Sequence, residues 1–330
     1  MTAKRVRTVT LEPSGVTFTA APGQRLLEAA RDAGAWLPFE CGWGSCSSCK
    51  TTLVSGLVES LLPDAPAISD RDARRGRILL CQSSALTDVI LRPLRVDDSA
   101  PAGRHTRRLA GRVECLTKVG PSLFELRINV GSPLDFRAGQ FAILENGDGL
   151  RRCYSLAGTA GESTARFVFK CYEGRPMSTW LSTCLVGDSL TVEVPYGDVW
   201  LRPGQRGMLM IAGGTGISAI ISLVREAATS HRTRELTVLY GARSAAELAL
   251  LTELRGLVDA HGSARLVAMA EEGPTEAPVE SGRVTDVLAQ LTVNDHDVYL
   301  AGPPAMVDAV DILLEERGAQ RDRLFVDRFG

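Results

Sequence analysis

Hydrophobic and polar residues follow three different patterns along the chain, and each pattern predicts its own architecture. In the first hundred residues, two alternating stretches flank the turn-forming sequence Glu12-Pro13-Ser14-Gly15, which predicts a β-hairpin. A stretch with apolar residues at i, i+3, i+4 and i+7 then predicts a helix, and more strand-like segments follow. These elements are expected at Val6–Leu11, Val16–Ala20, Arg25–Gly34 (the helix), Thr51–Val54 and Val89–Leu94.

From Leu109 to Leu201, short alternating stretches are separated by turn residues, which predicts a small antiparallel β-barrel. One helix interrupts the strands. We expect strands at Phe124–Ile128, Gln140–Leu144, Arg166–Phe169 and Leu190–Val194, and the helix at Ser178–Leu185.

From Gly207 onward, buried-type strands alternate with helices, and this order predicts a parallel sheet with helices on both faces. The strands are expected at Met208–Ala212, Leu236–Tyr240, Arg265–Met269 and Val298–Ala301. The helices are expected at Ile217–Ala228, Ala245–Ala260, Val284–Leu291 and Ala305–Glu316.

Between the first region and the predicted barrel, the regular spacing of apolar residues is lost. The composition there is that of a linker. We therefore expect a first domain at 1–97, a linker at 98–108, a second domain at 109–204 and a third at 205–330. Four basic residues end the linker and are expected to form a solvated face or to guide a docking partner: Arg104, His105, Arg107 and Arg108.

Length and charge narrow the class of protein further. A chain of 330 residues is too long for one small core. The formal net charge of −2, with both signs interspersed, argues against nucleic acid as a partner. No apolar run reaches the length of a membrane span and no signal core is present, so we expect a cytoplasmic protein without a membrane partner. The four histidines show no metal-ligand spacing.

Four of the eight cysteines form the most specific motif in the chain. Cys41, Cys46 and Cys49 have the spacing C-x4-C-x2-C, and Cys81 follows later. This spacing is typical of a plant-type 2Fe–2S site, and the small residues between the cysteines allow a loop to wrap closely round a cluster. Zinc is the alternative metal, but structural zinc sites usually use two short ligand pairs, and only one is present here.

The cysteine segment resembles the ferredoxin domain of the reductases that serve ring-hydroxylating (Rieske) oxygenases and related multicomponent oxygenases. Ser47 stands where that family usually has glycine, which leaves the cysteine ligands intact and changes the hydrogen bonding expected around the cluster. The resemblance extends over the whole chain. It implies a multidomain α+β and α/β protein: a β-grasp ferredoxin, then a Greek-key antiparallel β-barrel for FAD, then a parallel α/β nucleotide-binding sheet.

Two stretches resemble the flavin motifs of ferredoxin-reductase-type enzymes. In the first, the resemblance implies that Arg152 pairs with flavin phosphate, that Tyr154 lies against the flavin ring, and that the Ser155 hydroxyl lies near the atom that receives hydride. An ordinary strand with a satisfied arginine and a buried tyrosine is the alternative. In the second, a helix N-terminus would bind the FAD pyrophosphate, and Arg175 replaces a glycine. The residues implied there are Phe169, Lys170, Gly174, Met177 and Ser178. Pro195–Leu201 resembles the closing strand of the flavin domain.

Two further stretches resemble the nucleotide-binding loops of the same family. The first follows a strand and opens a helix, as a phosphate-binding loop requires: Gly213, Gly214, Thr215 and Gly216. The second follows the last predicted strand, where α/β sheets bind ligands, although Gly-Pro-Pro can also be a simple loop breaker: Gly302, Pro303, Pro304 and Met306. Ala301 occupies the position of the family's cysteine.

Two single residues complete the expected nucleotide site. Arg243 follows the second strand of the last domain and can either accept a 2′-phosphate, which favours NADPH, or stack on adenine; we favour NADH, with NADPH as the alternative. Phe329 would cover the flavin near the nicotinamide, or belong to a frayed tail.

These features predict an oxidoreductase that passes electrons from NAD(P)H through FAD and a 2Fe–2S cluster. The acceptor is expected to be a separate oxygenase component, most simply a Rieske dioxygenase or monooxygenase, or an intermediate ferredoxin, and the chain is expected to be a monomer. A diiron monooxygenase and a sugar-deoxygenating dehydratase are alternative partners. The hypothesis from a different class is a redox or metal sensor whose nucleotide domain is regulatory.

Overall fold

The computed structural model describes residues 5–35, 37–39, 44, 47–61, 68–94 and 106–328. The chain forms two compact units, Met1–Arg104 and His105–Gly330. The second unit contains two sheets of six strands each.

The first unit is a five-stranded mixed sheet in the order β2-β1-β7-β3-β5. The predicted hairpin is confirmed, because β1 and β2 pair antiparallel across the turn. Helix α1 turns its leucines and alanines into the core between itself and the sheet. The elements are β1 Arg7–Leu11, β2 Thr17–Ala20, α1 Leu26–Asp32, β3 Lys50–Ser55, β4 Val58–Ser60, α2 Asp70–Ala73, β5 Arg77–Leu79, β6 Ser83–Ala85 and β7 Val89–Pro93.

The antiparallel sheet of the second unit has the order β11-β10-β13-β8-β9-β12. The last strand, β13, inserts between β10 and β8, which gives the predicted Greek-key connection. A bridge between Leu156 and Phe167 joins the two edges, so the sheet is nearly closed into a barrel. The elements are β8 Arg107–Lys118, β9 Leu123–Asn129, β10 Phe141–Glu145, β11 Arg151–Ser155, β12 Thr164–Lys170, α3 Pro176–Ser182 and β13 Ser189–Tyr196.

The other sheet of this unit is parallel throughout, in the order β17-β16-β15-β14-β18-β19. Strand order reverses between β14 and β18, and the carboxyl ends of strands at such a switch point form the ligand-binding crevice of open α/β sheets. The elements are β14 Gly207–Gly213, α4 Ile217–Ser230, β15 Leu236–Ser244, α5 Leu251–His261, β16 Ala264–Glu272, β17 Val279–Ser281, α6 Val284–Leu288, β18 His296–Gly302, α7 Pro304–Glu316 and β19 Leu324–Arg328.

Helices cover both faces of this parallel sheet, as predicted. Along β14, Met208 and Met210 belong to a core shared with α4 and α5. Leu209 and Ile211 belong to a second core shared with α6 and α7. The alternation of side chains along a buried strand therefore divides the apolar residues between the two helix layers.

Four details differ from the sequence-based expectation. The single helix predicted over Ala245–Ala260 is wrong: a short 3-10 turn is followed by a break at Leu250, which has a left-handed φ of 57° and so cannot continue a helix. Helix α6 ends at Leu288, earlier than predicted. Strand β8 begins at Arg107, inside the stretch expected as linker. Near the end of the chain, Leu324–Arg328 forms a sixth parallel strand, β19, for which no strand was predicted.

Candidate functional site

Two of the four candidate cluster ligands lie in described parts of the first unit, and the fold brings them together. Cys49 directly precedes β3 and Cys81 follows β5. Lys50 pairs with Leu79 across these two strands, so the cysteines next to them meet although they are 32 residues apart. Their Sγ atoms are 3.3 Å apart and both residues are buried. Cys41 and Cys46 lie outside the described residues.

The sulfur–sulfur distance fits a shared metal ion. A disulfide would hold the sulfurs at about 2.05 Å. Two thiolates bound to one tetrahedral metal at bonds of about 2.3 Å lie about 3.8 Å apart. The observed 3.3 Å is much nearer the second value, so Cys49 and Cys81 fit as ligands of one iron of a cluster.

The backbone at Ser47 has a conformation that favours glycine. This residue has a φ of 58°, in the left-handed region. Side chains with a Cβ are disfavoured there by about 1–2 kcal/mol. The serine is therefore accommodated with some strain in the segment that leads to Cys49.

The first flavin motif forms β11, at one edge of the barrel sheet. The Tyr154 ring packs edge-on against Phe167 at 6.5 Å and Phe169 at 6.0 Å between ring centres. Burial raises the pKa of Tyr154 above its ordinary value, so the phenol stays neutral. The Arg152 guanidinium donates a hydrogen bond of 2.7 Å to the carbonyl of Arg151.

Ser155, at the end of β11, contacts a residue that the sequence analysis gave no role. Its Oγ donates to the Asp327 carboxylate over 2.6 Å, although the two are 172 residues apart. Asp327 lies on β19 and pairs with Ala301 on β18, directly before Gly302. One charge-assisted hydrogen bond thus joins the end of the flavin motif to the strand that lies beside Ala301 and Gly302.

The second flavin stretch has most of its polar groups engaged within the chain. The Lys170 ammonium forms an ion pair of 2.6 Å with Glu247. The Ser178 hydroxyl donates to the Arg175 carbonyl and accepts from the Tyr172 N–H, each over 3.2 Å. Helix α3 begins at Pro176, two residues earlier than predicted, and is seven residues long. Of the other candidates, Phe169 and Met177 are buried, and Gly174 lies in the turn before the helix.

The two nucleotide loops lie together at the carboxyl ends of β14 and β18. A Cβ atom on Gly213 would collide with the Met306 side chain, and one on Gly216 would collide with the Ala301 carbonyl. These glycines therefore allow the close approach of the two strand ends. Gly214 is different, since it has a left-handed φ of 52° and nothing within 4 Å of a Cβ placed there. The loop that contains it and Thr215 thus has an open side, which fits a bound phosphate group.

The remaining nucleotide candidates are placed as follows. Pro303 is the N-cap residue of α7, and Pro304 is the first residue of the helix. Arg243 is exposed near the end of β15, and the next residue, Ser244, pairs with Glu272 on β16. Phe329 lies outside the described residues. No grouping of three or more potential metal-ligating side chains occurs in the parts of the chain that the structure describes.

A partly buried polar network links the barrel to the helices of the parallel sheet within the second unit. Arg166 of β12 binds Glu125 of β9 and Glu253 of α5, each over 2.7 Å. Arg225 of α4 binds Glu253 over 2.6 Å. The Arg166 hydrogen bond holds the pKa of Glu253 below its ordinary value. These contacts hold the flavin motif and the nucleotide loops in one fixed arrangement.

Known proteins match both the order of domains and the complete fold. A family model for the 2Fe-2S iron-sulfur cluster binding domain matches residues 9–86, and one for the oxidoreductase NAD-binding domain matches residues 210–311. The ferredoxin–NAD(+) reductase component of the alkene monooxygenase system of Xanthobacter autotrophicus is 34% identical over 329 residues, covering 96% of this chain and 98% of the relative. Reductase component 2 of terephthalate 1,2-dioxygenase from Comamonas is 31% identical, covering 97% and 96%.

A solved structure, the ferredoxin reductase in carbazole 1,9a-dioxygenase, matches with a TM-score of 0.87 at 27% identity and covers 99% of each chain. The fold and the paired nucleotide and flavin motifs define the class of ferredoxin reductases with an N-terminal 2Fe–2S domain. The chain belongs to the family of reductase components of oxygenase systems, oxidoreductases that use a nicotinamide nucleotide, FAD and a 2Fe–2S cluster. Over the described residues, the structure contains no helix with the length and apolar character of a membrane span.

Proposed function

We propose that this protein takes electrons from NADH and passes them, through FAD and its 2Fe–2S cluster, to a separate oxygenase component. The observation that carries this proposal is the hydrogen bond between Ser155 and Asp327. It joins the end of the flavin motif to a strand that lies beside Ala301 and the glycine–proline loop. A nicotinamide bound at the switch point and a flavin bound along β11 would therefore meet at this hydroxyl.

Bound flavin accepts two electrons as hydride and releases them singly, which links a nicotinamide donor to a one-electron cluster. The residues of this chain position the bound cofactors and place charged groups beside them. The Asp327 carboxylate orients the Ser155 hydroxyl, and the rigid ring contacts of Tyr154 fix the surface on which the flavin lies. Arg152 would pair with flavin phosphate, and Phe329 would cover the flavin. Cys41, Cys46, Cys49 and Cys81 would hold the cluster.

The end of β15 supports NADH as the donor. Arg243 is exposed there, but the next residue, Ser244, pairs with Glu272 on β16, whose carboxylate is also exposed. A 2′-phosphate bound beside Arg243 would face this negative charge, whereas a ribose hydroxyl would not. The Xanthobacter relative is a ferredoxin–NAD(+) reductase component, which agrees with this preference.

The partner is an oxygenase of the Rieske type acting on an aromatic or similar substrate. The dioxygenase systems named for the Comamonas relative and for the carbazole structure support this choice. The alkene monooxygenase system of the Xanthobacter relative favours a monooxygenase instead, so a diiron monooxygenase stays as the second candidate. We further propose that the protein works as a monomer in the cytoplasm, where its thiols stay reduced.

Domain boundaries at 1–97, 109–204 and 205–330, with a linker at 98–108, belong to the same proposal. The division into two compact units at Arg104 supports the linker. The start of β8 at Arg107 supports a linker that ends slightly earlier.

The test distinguishes electron transfer through the cluster from electron transfer through the flavin alone. Cys81→Ser should abolish reduction of cytochrome c by NADH, because the one-electron exit is lost, while ferricyanide reduction through the flavin persists. The matched control is Cys115→Ser, which changes a half-buried cysteine on β8 and should leave both activities unchanged. Loss of both activities in Cys81→Ser with FAD still bound would contradict the scheme. A redox sensor would show no steady-state turnover with NADH and either acceptor.

A further inference from the structure

Three arginines form an exposed basic face on the first unit. Arg71 lies on α2, and Arg74 and Arg75 lie on the turn that follows it. The spacing i, i+3 and i+4 places them on one side of the helical segment. All three are exposed, and none forms an ion pair with another described residue.

The acidic residue between these arginines faces away from them. Asp72 is only 9% exposed and binds Lys50 over 2.6 Å and Arg77 over 2.5 Å. The hydrogen bond from Lys50 holds the pKa of Asp72 well below its usual range. Asp70 is the other acid on α2 and is exposed. The face therefore keeps an excess of two positive charges after Asp70 is counted.

This basic face is anchored to the strands that hold the cluster cysteines. Lys50 directly follows Cys49, and Arg77 begins β5, the strand that precedes Cys81. Both basic residues bind the same carboxylate of α2. The arginine face is thus tied by two ion pairs to the side of the unit where Cys49 and Cys81 meet.

We propose that Arg71, Arg74 and Arg75 form the docking surface for an acidic region of the protein that accepts electrons from the cluster. This inference rests on the proposed function. Charge favours an acidic partner, because residues 1–104 contain 13 Lys and Arg against 11 Asp and Glu, while the whole chain is net negative. Complementary charges speed association by about 10- to 1000-fold at low salt, and salt screens them.

The test compares two haem proteins as electron acceptors from NADH: acidic cytochrome b5 and basic cytochrome c. Changing all three arginines to glutamine should lower kcat/KM for cytochrome b5 about 10-fold at low ionic strength. The difference in kcat/KM between this variant and wild type should vanish near 0.5 M salt, because the Debye length there is about 4 Å. Reduction of cytochrome c should be unchanged or faster. The control, Arg255→Gln with Arg265→Gln and Arg317→Gln, removes the same charge from the second unit and should change kcat/KM for cytochrome b5 less than twofold.

Equal losses in the two triple variants would overturn the inference, because net charge alone would then explain them. An equal loss with both haem proteins at saturating concentration would also overturn it, since the face would then act on transfer inside the chain. Wild-type protein that reduces ferricyanide but neither haem protein would instead contradict the proposed function. Ferricyanide turnover and flavin content of each variant, unchanged from wild type, verify that it is folded.

Discussion

At the scale of single residues, the contact between Ser155 and Asp327 makes the sharpest prediction. Ser155→Ala removes the hydroxyl beside the expected hydride path and should slow flavin reduction by NADH about 10- to 100-fold. Asp327→Ala removes only the group that orients the hydroxyl and should have a smaller effect. Stopped-flow absorbance of the flavin measures both rates.

Flavin content is the control for these two variants, because neither side chain is proposed to hold the cofactor's phosphates. Asp327→Asn keeps an acceptor oxygen for the Ser155 hydroxyl and should restore much of the rate lost in Asp327→Ala. A wild-type rate of flavin reduction in Ser155→Ala would show that the Ser155 hydroxyl takes no part in hydride transfer.

Ser47 gives a second prediction at this scale. Its left-handed φ of 58° suits glycine better than serine. Ser47→Gly should therefore stabilise the folded first unit by about 1 kcal/mol. Chemical unfolding followed by the visible absorbance of the cluster measures the change. Ser48→Gly, at a neighbour whose φ is not positive, is the matched control and should destabilise.

Residues that form a local motif can be predicted from the sequence, whereas a residue whose role depends on a long-range contact cannot. The four cysteines, the flavin strand and both glycine loops have characteristic spacings, so the sequence alone predicts them. Asp327 was not predicted, because its role depends on strand β19 pairing with β18 and facing a residue 172 positions away. The only feature of the sequence that pointed to this contact was the presence of an aspartate near the end of the chain.

At the scale of secondary-structure elements, a buried ion pair holds the segment that leads from the barrel to the parallel sheet. Arg234 and Asp297 are almost completely buried and lie 2.7 Å apart. The same guanidinium donates to the carbonyls of Arg202 and Arg206, on the segment between β13 and β14. The Arg234 side chain therefore links the amino-terminal edge of the parallel sheet to the segment that precedes β14.

Breaking this ion pair should destabilise the second unit strongly. Arg234→Met leaves Asp297 charged and buried, which costs about 3–5 kcal/mol, whereas the double variant with Asp297→Leu should recover part of that loss. Thermal unfolding followed by flavin release measures both. Arg234→Lys keeps the charge and loses most of the fork of hydrogen bonds, so an intermediate loss is expected. A double variant no more stable than Arg234→Met would show that the two carbonyl contacts, not the charge pair, dominate.

Element types were predicted well from periodicity, and element limits were not. The parallel sheet was predicted because its strands are continuous apolar runs separated by amphipathic helices. The break at Leu250 was not, since leucine is a good helix former; in the structure this left-handed residue is partly buried and packs against the core of the second unit. Strands β17 and β19 were missed because their pairing with an existing sheet edge, rather than their composition, makes them strands.

At the scale of the whole molecule, the two units differ in the groups that acid would disturb. The second unit buries His261 at the end of α5. Burial lowers the pKa of His261 below its ordinary value, and the positive charge of Arg232 lies nearby. In the first unit, the hydrogen bond from Lys50, supported by one from Arg77, lowers the pKa of the Asp72 carboxyl.

The two lowered pKa values predict that acid weakens the second unit first. Unfolded histidine binds a proton near pH 6.5 while folded His261 resists it, so stability falls as pH drops below about 6.5, by at most about 1.4 kcal/mol per pH unit. The stability contributed by Asp72 is lost only below the ordinary carboxyl pKa of about 3.9. Between pH 7.5 and 5.5, the temperature of flavin release should therefore fall, while that of unfolding of the first unit should change little. His261→Gln, which stays neutral, should remove most of the acid effect on flavin release, and an equal fall in this variant and in wild type would assign the acid sensitivity to other groups.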